Sequence, residues 1–224
     1  MKLAVISDLH GYLPPIEPCD VVCICGDTVP LRVQYQGLGS MVWLKFSFIP
    51  WVKALPCEKV IMIGGNHDFL FYRSEEPQSL FGLDHEAKEK IVFLQDSEYE
   101  YEGIKFYGTP WCKQFGNWAY MLSDVELKVK YADIPYKVDV LLTHDQPYGY
   151  GDILLDNCPW ADGKNIGNKP LLDAIIAKQP KYQFNGHLHS CDHSKIDIKG
   201  TTHCNVSLLN EEYQPVYKPL YIEI

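Results

Sequence analysis

Lys59-Val60-Ile61-Met62-Ile63-Gly64-Gly65-Asn66-His67-Asp68 is the stretch from which the rest of the chain can be read. A short apolar run is closed by two glycines, and three polar residues follow directly. An apolar run of this length bounded by glycine reads as a strand buried in a sheet. The glycines permit a sharp turn or a close backbone approach. Asn66, His67 and Asp68 then lie just past the carboxyl end of a strand, where open α/β sheets hold their ligands. Asn and His can ligate a metal, His can move a proton, and Asp can orient a His. A polar turn would account for the same residues, so the choice between the two rests on the other strands.

The same event recurs four times. The run 3–6 is followed by Ser7-Asp8-Leu9-His10-Gly11. If the chain stays extended there, Asp8 and His10 face one side and Leu9 the other. Asp20-Val21-Val22-Cys23-Ile24-Cys25 ends in Gly26-Asp27. Val138-Asp139-Val140-Leu141-Leu142-Thr143 ends in His144, and Tyr182-Gln183-Phe184-Asn185 ends in Gly186-His187-Leu188-His189. Alternation again puts His187 and His189 on one side. Five of the eight histidines fall at these strand ends. Brought to one sheet edge, Asp8, His10, Asp27, Asn66, His67, His144, His187 and His189 offer two carboxylates, an amide oxygen and at least four imidazoles. That exceeds the needs of one tetrahedral ion and suits two ions sharing a bridging carboxylate. With no cysteine in the set, mixed nitrogen and oxygen ligation favours manganese, iron or zinc over copper(I) or an iron–sulfur cluster.

Between these strands, 28–39 reads as a loop and 41–55 as a helix bent near Pro50, its aromatics Trp43, Phe46, Phe48 and Trp51 packed on the sheet. The segment 69–83 has no clear period and reads as an excursion near the site, with Arg73 its only basic residue. Further strands are expected at 91–94 and 104–107. The aromatic stretch 111–120 either walls a pocket or fills the core edge. Ser123 and Glu126 stand at capping-box spacing before a helix to 131. The stretch 149–165 reads as a loop, Lys169–Lys178 as a helix with Leu171, Leu172, Ile175 and Ile176 on one face, and 195–198, 201–208 and 216–224 as closing strands. His85, His193 and His203 receive no role, and His193 reads as a surface imidazole.

The 224 residues contain no repeat or linker, so 1–224 reads as a single domain. No run of about 18 apolar residues is present, which argues against a membrane span. Asp8 comes too early for a signal peptide. The formal charge of −9 argues against non-specific nucleic-acid binding. Eight cysteines without paired Cys-x-x-Cys spacing read as mostly buried, reduced thiols of a cytoplasmic protein.

Asp-x-His, Gly-Asp, Gly-Asn-His-Asp, His and Gly-His-x-His, in that order over residues 8–189, resemble the calcineurin-like metallophosphoesterase superfamily. The resemblance implies a four-layer α/β/β/α sandwich of two mixed β-sheets. It also implies two divalent ions. Asp8, His10, Asp27 and His189 would hold one, and Asp27, Asn66, His144 and His187 the other, with Asp27 bridging. His67 is similar to the family's catalytic histidine and Asp68 to the acid that orients it. The Asp-Arg pair expected of protein phosphatases is missing from Gly26-Asp27-Thr28-Val29-Pro30-Leu31-Arg32. The stretch from Thr143-His144-Asp145-Gln146-Pro147 to His189 looks more like the small phosphodiesterases related to brain metallophosphoesterase-domain proteins. That branch usually has Gly-Pro-Pro after the histidine, and here Asp145 adds a negative charge near the site. The implied activity is hydrolysis of a small phosphodiester or nucleotide by a metal-bridging hydroxide. A phosphomonoesterase of the same family and a non-catalytic nucleotide- or partner-binding member are the alternatives.

Overall fold

Strands covered on both faces carry near-continuous apolar runs, and the first three strands do so once past Lys2 and Lys59 at the strand starts. The computed structural model describes residues 1–82, 84–155 and 163–224. In chain order these form β1 (Lys2–Ile6), β2 (Val21–Cys25), α1 (Gly37–Trp43), α2 (Ile49–Ala54), β3 (Lys59–Ile63), α3 (Phe69–Tyr72), α4 (His85–Lys90) and β4 (Ile91–Phe93). There follow β5 (Ser97–Tyr101), β6 (Ile104–Thr109), β7 (Cys112–Lys113), β8 (Met121–Leu122), α5 (Asp124–Ala132) and β9 (Val140–Thr143). The last are α6 (Lys169–Lys178), β10 (Tyr182–Asn185), β11 (Ile196–Ile198), β12 (Thr201–Asn205) and β13 (Leu220–Glu223).

One sheet has the order β13-β1-β2-β3-β4, and a second has β11-β12-β10-β9-β6-β5. Both are mixed: β13 is antiparallel in the first, β5 and β11 in the second. Alternate residues assign the layers. Ala4, Ile6, Val22, Ile24, Val60 and Met62 meet Trp43, Phe48 and Val52 of the helical stretch 37–54. Leu3, Val5, Val21, Cys23, Ile61 and Ile63 face the opposite way, onto Phe106, Val140, Leu142 and Phe184 of the second sheet. The far side of that sheet, Tyr107 and Leu141, is covered by Leu127 and Tyr131 of α5 and Leu171 and Ile175 of α6. The result is the expected α/β/β/α sandwich. In β1, β2 and β3, Ile6 pairs with Ile24 and Cys25 with Ile63, so their carboxyl ends are level. Thr109 pairs with Thr143 and Phe184 with Leu142, which aligns the ends of the second sheet in the same way.

Several local readings need correction. The helix begins at Gly37, inside the expected loop, and Pro50 does not interrupt it. The chain passes from α1 to α2 through a π turn at Leu44–Phe48, leaving Pro50 at the start of α2. A π turn shifts the carbonyl register, which removes the clash a proline ring makes in a regular helix. Phe46 is exposed and does not join the core aromatics. The segment 69–82 contains α3 and a 3₁₀ turn at Pro77–Phe81. The short α4, capped by the Asp84 carboxylate on Ala87 N–H, is hidden in the sequence by its brevity. The edge strand β5 is hidden by its alternating glutamates. The final strands are shorter than expected, ending at Asn205 and beginning at Leu220. Of the stretch 149–165, residues 156–162, including Cys158, lie outside the described residues, as does Leu83.

Asn168 joins three elements. Its Oδ1 caps α6 by accepting from Leu171 N at 3.0 Å, and its Nδ2 donates to Asp145 Oδ2 at 2.8 Å and to the Tyr131 hydroxyl at 3.1 Å. Loss of a cap costs about 1 kcal/mol, and a hydrogen bond to a charged group contributes about 1.5–3. Asn168→Ala should therefore lower unfolding stability by about 2–4 kcal/mol, read in urea as a reduced midpoint at unchanged slope.

Candidate metal centre

The loops after β1 and β2 are knitted backbone to backbone. Asp8 N donates to Gly26 O, His10 N to Asp27 O at 2.8 Å, and Gly11 N to Thr28 O. Asp8, His10 and Asp27 all adopt positive φ, at 54°, 41° and 53°, as does His187 at 72°. Strand alternation therefore does not bring Asp8 and His10 together. A left-handed kink does, while Leu9 drops into the core. The same holds for His187 and His189. Gly186 allows the β10 loop to close on β1, because a Cβ there would fall on the Asp8 carboxylate and the Ser7 hydroxyl.

All eight residues singled out at the strand ends converge. Asp27, 1% exposed, accepts from His67 N through Oδ1 at 2.7 Å. Its Oδ2 faces His144 Nε2 at 3.3 Å, His10 Nε2 at 3.6 Å and His67 Nε2 at 3.9 Å. Asp8 accepts from Ser207 Oγ at 2.7 Å and from His187 N, and its Oδ1 lies 3.2 Å from His189 Nε2 and 4.0 Å from His10 Nε2. His144 Nδ1 is held by Cys25 O at 2.7 Å and His189 Nδ1 by Asn210 O at 3.0 Å. A carbonyl only accepts, so both Nδ1 atoms carry hydrogen, and in the neutral rings both Nε2 lone pairs point at oxygens. Asn66 Oδ1, also an acceptor, sits 3.0 Å from His144 Nε2. The His187 ring lies 5.2 Å from that of His144 and 5.5 Å from Phe115.

This arrangement fits cations. Lone pairs facing each other across about 3 Å repel unless a positive charge stands between them. Burial opposes charge on His144 and His189, yet the Asp27 and Asp8 carboxylates outweigh it and raise these imidazoles to about 10 and about 9. His10 is pushed the other way, to about 4, by burial, which its two carboxylate neighbours only partly offset. Its side chain is 2% exposed, and neither ring nitrogen has a hydrogen-bond partner. Buried polar atoms are rarely left so. The ligand atoms of Asp8, His10 and His189 fall within 4.8 Å of one another, as do those of Asp8, Asp27 and His144, and those of Cys112, His144 and His187.

Asp68 does not touch His67 in the way the sequence implies. Its carboxylate accepts from Gly65 N at 3.0 Å, Thr28 N at 3.0 Å and Val29 N at 2.8 Å, clamping the loops after β2 and β3 together. Burial, with Asp27 nearby, pushes this carboxyl up to about 7 despite those three bonds. The partner of His67 Nδ1 is Gln34 Oε1, at 2.6 Å, and Trp118 packs on the ring at 4.5 Å. Gln34 lies in a loop without periodicity, and no sequence pattern marks it. Asp145 is 4% exposed and accepts from Lys113 N, Gln146 N and Asn168 Nδ2, so its charge is spent on loop geometry. His193 is half-buried: its Nε2 donates to His189 O at 2.9 Å and its ring stacks on Tyr217. His203 is buried between Gln183 and Gln146. Gln146 Oε1 accepts from Asn205, whose Nδ2 also donates to the carbonyls of Gly186 and Leu188. His85 is exposed at the start of α4.

Above the centre lies a cavity of about 780 Å³. Asp27, Asn66, His67, His187 and His189 form its floor, Phe115, Trp118 and Tyr213 supply aromatic walls, and Lys113 and Lys164 supply positive charge. The aromatic stretch thus serves both expected roles, since Trp111 and Tyr120 pack into the core.

A family model described as calcineurin-like phosphoesterase matches residues 1–191. A UPF0046 protein of Caenorhabditis elegans is 30% identical, over 100% of this chain and 81% of its own length. The human metallophosphoesterase domain-containing protein 1 is also 30% identical, over 100% of this chain and 71% of its own. The crystal structure of a Thermus thermophilus protein, TT1561, superposes with a TM-score of 0.60 at 11% identity, over 91% of this chain and 88% of that one. With the strand-end residues gathered at one sheet edge and most of the chain matched, this protein belongs to the calcineurin-like phosphoesterase family and is a metal-dependent hydrolase of phosphate esters.

Proposed function

We propose that the chain hydrolyses a small phosphodiester, a nucleotide among the candidates, at the floor of the 780 Å³ cavity. The observation that carries the metal chemistry is His10, a sealed imidazole with two unpartnered nitrogens between two carboxylates. The cavity supports an ester larger than a bare phosphate, because its volume is that of a drug-sized ligand site. Its rings suit a planar or apolar group beside the phosphate, and Lys113 and Lys164 suit the phosphate charge.

Asp8, His10, Asp27 and His189 would hold one divalent ion and Asp27, Asn66, His144 and His187 the other. When bound, such ions supply Lewis acidity and bring a water pKa towards ~7. Gln34 keeps hydrogen on His67 Nδ1, so Nε2 faces the cavity floor and can hold a proton for the departing oxygen. Asp68 acts at one remove by fixing the loops that carry Asp27 and His67. Trp118 limits the tilt of the His67 ring and keeps bulk water off one face. The whole of 1–224 is read as one metallophosphoesterase domain. All seven described cysteines are free, which supports a reducing cytoplasmic setting. No described helix is long and apolar enough to cross a membrane.

Bis-p-nitrophenyl phosphate and p-nitrophenyl phosphate, each with added manganese or zinc, test the reading. Turnover of the diester is expected, whereas turnover of the monoester alone would make the protein a phosphomonoesterase. Asp27→Ala should lose both metal equivalents by elemental analysis, and two full equivalents in that variant would remove Asp27 from its bridging role. His67→Ala should keep both metals but lose roughly a hundredfold or more in kcat. That loss should be greatest on esters with poor leaving groups and smaller on p-nitrophenyl esters. Gln34→Leu should reproduce the leaving-group dependence more mildly. A uniform loss across leaving groups would instead assign His67 to binding.

A further inference from the structure

The ligand-atom clusters contain one residue that no strand-end pattern includes. Cys112 Sγ lies within 4.8 Å of ring nitrogens of both His144 and His187. Cys112 is fully buried, at the start of β7, with its backbone fixed by Tyr120 O at 2.8 Å. Its neighbour Lys113 lines the cavity and is tied through its own N–H to Asp145, one residue past His144. The thiol is therefore held against the histidine pair by two anchors, on the protein side of the centre. Its S–H donates to Pro110 O at 3.5 Å, the one hydrogen bond that ligation would replace. Among the described residues, Cys112 is the one cysteine placed with metal-ligating groups; Cys23, Cys25 and Cys204 pack between the sheets.

We infer that Cys112 is a sulfur ligand to the metal position served by Asp27, Asn66, His144 and His187, adding a thiolate to its oxygen and nitrogen donors and tuning it towards zinc. Thiolate with imidazole favours zinc over the harder manganese and magnesium, which prefer oxygen. On binding, the S–H proton leaves to solvent and the sulfur lone pair goes to the ion, with no change of oxidation state. Because the sulfur approaches from beneath, the cavity side of the ion stays open to substrate. The two metal positions then differ in kind: one is built from Asp8, His10, Asp27 and His189, while the other carries a soft ligand. The inference rests on the two-ion reading of the centre.

The test is spectroscopic and needs no turnover. The zinc-loaded protein should show a sulfur scatterer at about 2.3 Å in X-ray absorption. The cobalt(II)-substituted protein should show a thiolate-to-cobalt charge-transfer band in the near ultraviolet. Cys112→Ser, with Cys112→Ala as a second variant, should lose that band while still binding cobalt. Two bound ions with no sulfur scatterer in the unsubstituted protein would overturn the inference and leave the two-ion reading intact. A band that survives in both variants would assign it to another thiol and also overturn it. Failure of the unsubstituted protein to bind metal at all would bring down both readings.

Discussion

The repulsion between buried lone pairs at the shared sheet edge is the constraint on which the site depends. Asp27 Oδ2 sits among three imidazole nitrogens, and Asp8 Oδ1 between two. Backbone carbonyls at Cys25 and Asn210 fix the tautomers of His144 and His189 so that neither can relieve the clash by donating from Nε2 while neutral. Such a cluster is stable only around positive charge, which protons on His144 and His189 supply without metal and bound cations supply with it. The level carboxyl ends of β1, β2 and β3, and of β6, β9 and β10, supply the frame that makes the crowding possible.

Behind the cluster lies a second tier of buried polar groups. Asp68, Asp145 and the Gln146–Asn205–His203 group belong to none of the metal clusters, yet each spends its hydrogen bonds on a loop that carries a ligand. Asp68 holds the Gly26-Asp27 and Gly65-Asn66-His67 turns at fixed separation, and Asn205 gathers the carbonyls around His187 and His189. These loops have little apolar surface of their own, so hydrogen bonds must do the positioning that packing does in the sheets. The arrangement also explains why carboxylates near the site do not all make it more negative: Asp145 is saturated with N–H donors.

How much can be read from the chain follows from this division. The strands and their polar ends are legible because both-face burial leaves an unmistakable apolar run, and because glycine followed by Asp, Asn or His is visible as text. The α5 capping box is legible for the same reason, and its bonds are present. Gln34, Cys112 and His193 are not legible. Gln34 and Cys112 reach the centre from segments without a period, by the tertiary path alone, whereas His193 is brought there by its nearness to His189 in the chain. The alternation argument places Asp8 and His10 together for the wrong physical reason, since a left-handed turn does what an extended strand would not. The paired role expected of Asp68 fails because adjacent side chains in a turn diverge, leaving it to face the backbone of the neighbouring loop.

The positive φ angles at Asp8, His10, Asp27 and His187 bear on which sequences this site can drift through. A non-glycine residue in that region costs about 1–3 kcal/mol, least for Asp, Asn and His, whose short polar side chains tolerate it. Those are also the residue types that bind hard and borderline metals. The two requirements favour the same short list, although the chain also carries Glu102 at a φ of 48°, so glutamate is disfavoured rather than barred at positions 8 and 27. Glycine would relax the backbone at each of the four positions while abolishing the donor. At positions 8 and 27 glycine would also orphan the Ser207 hydroxyl and the His187 and His67 N–H groups, so the strained carboxylates hold the edge together as well as equipping it for chemistry.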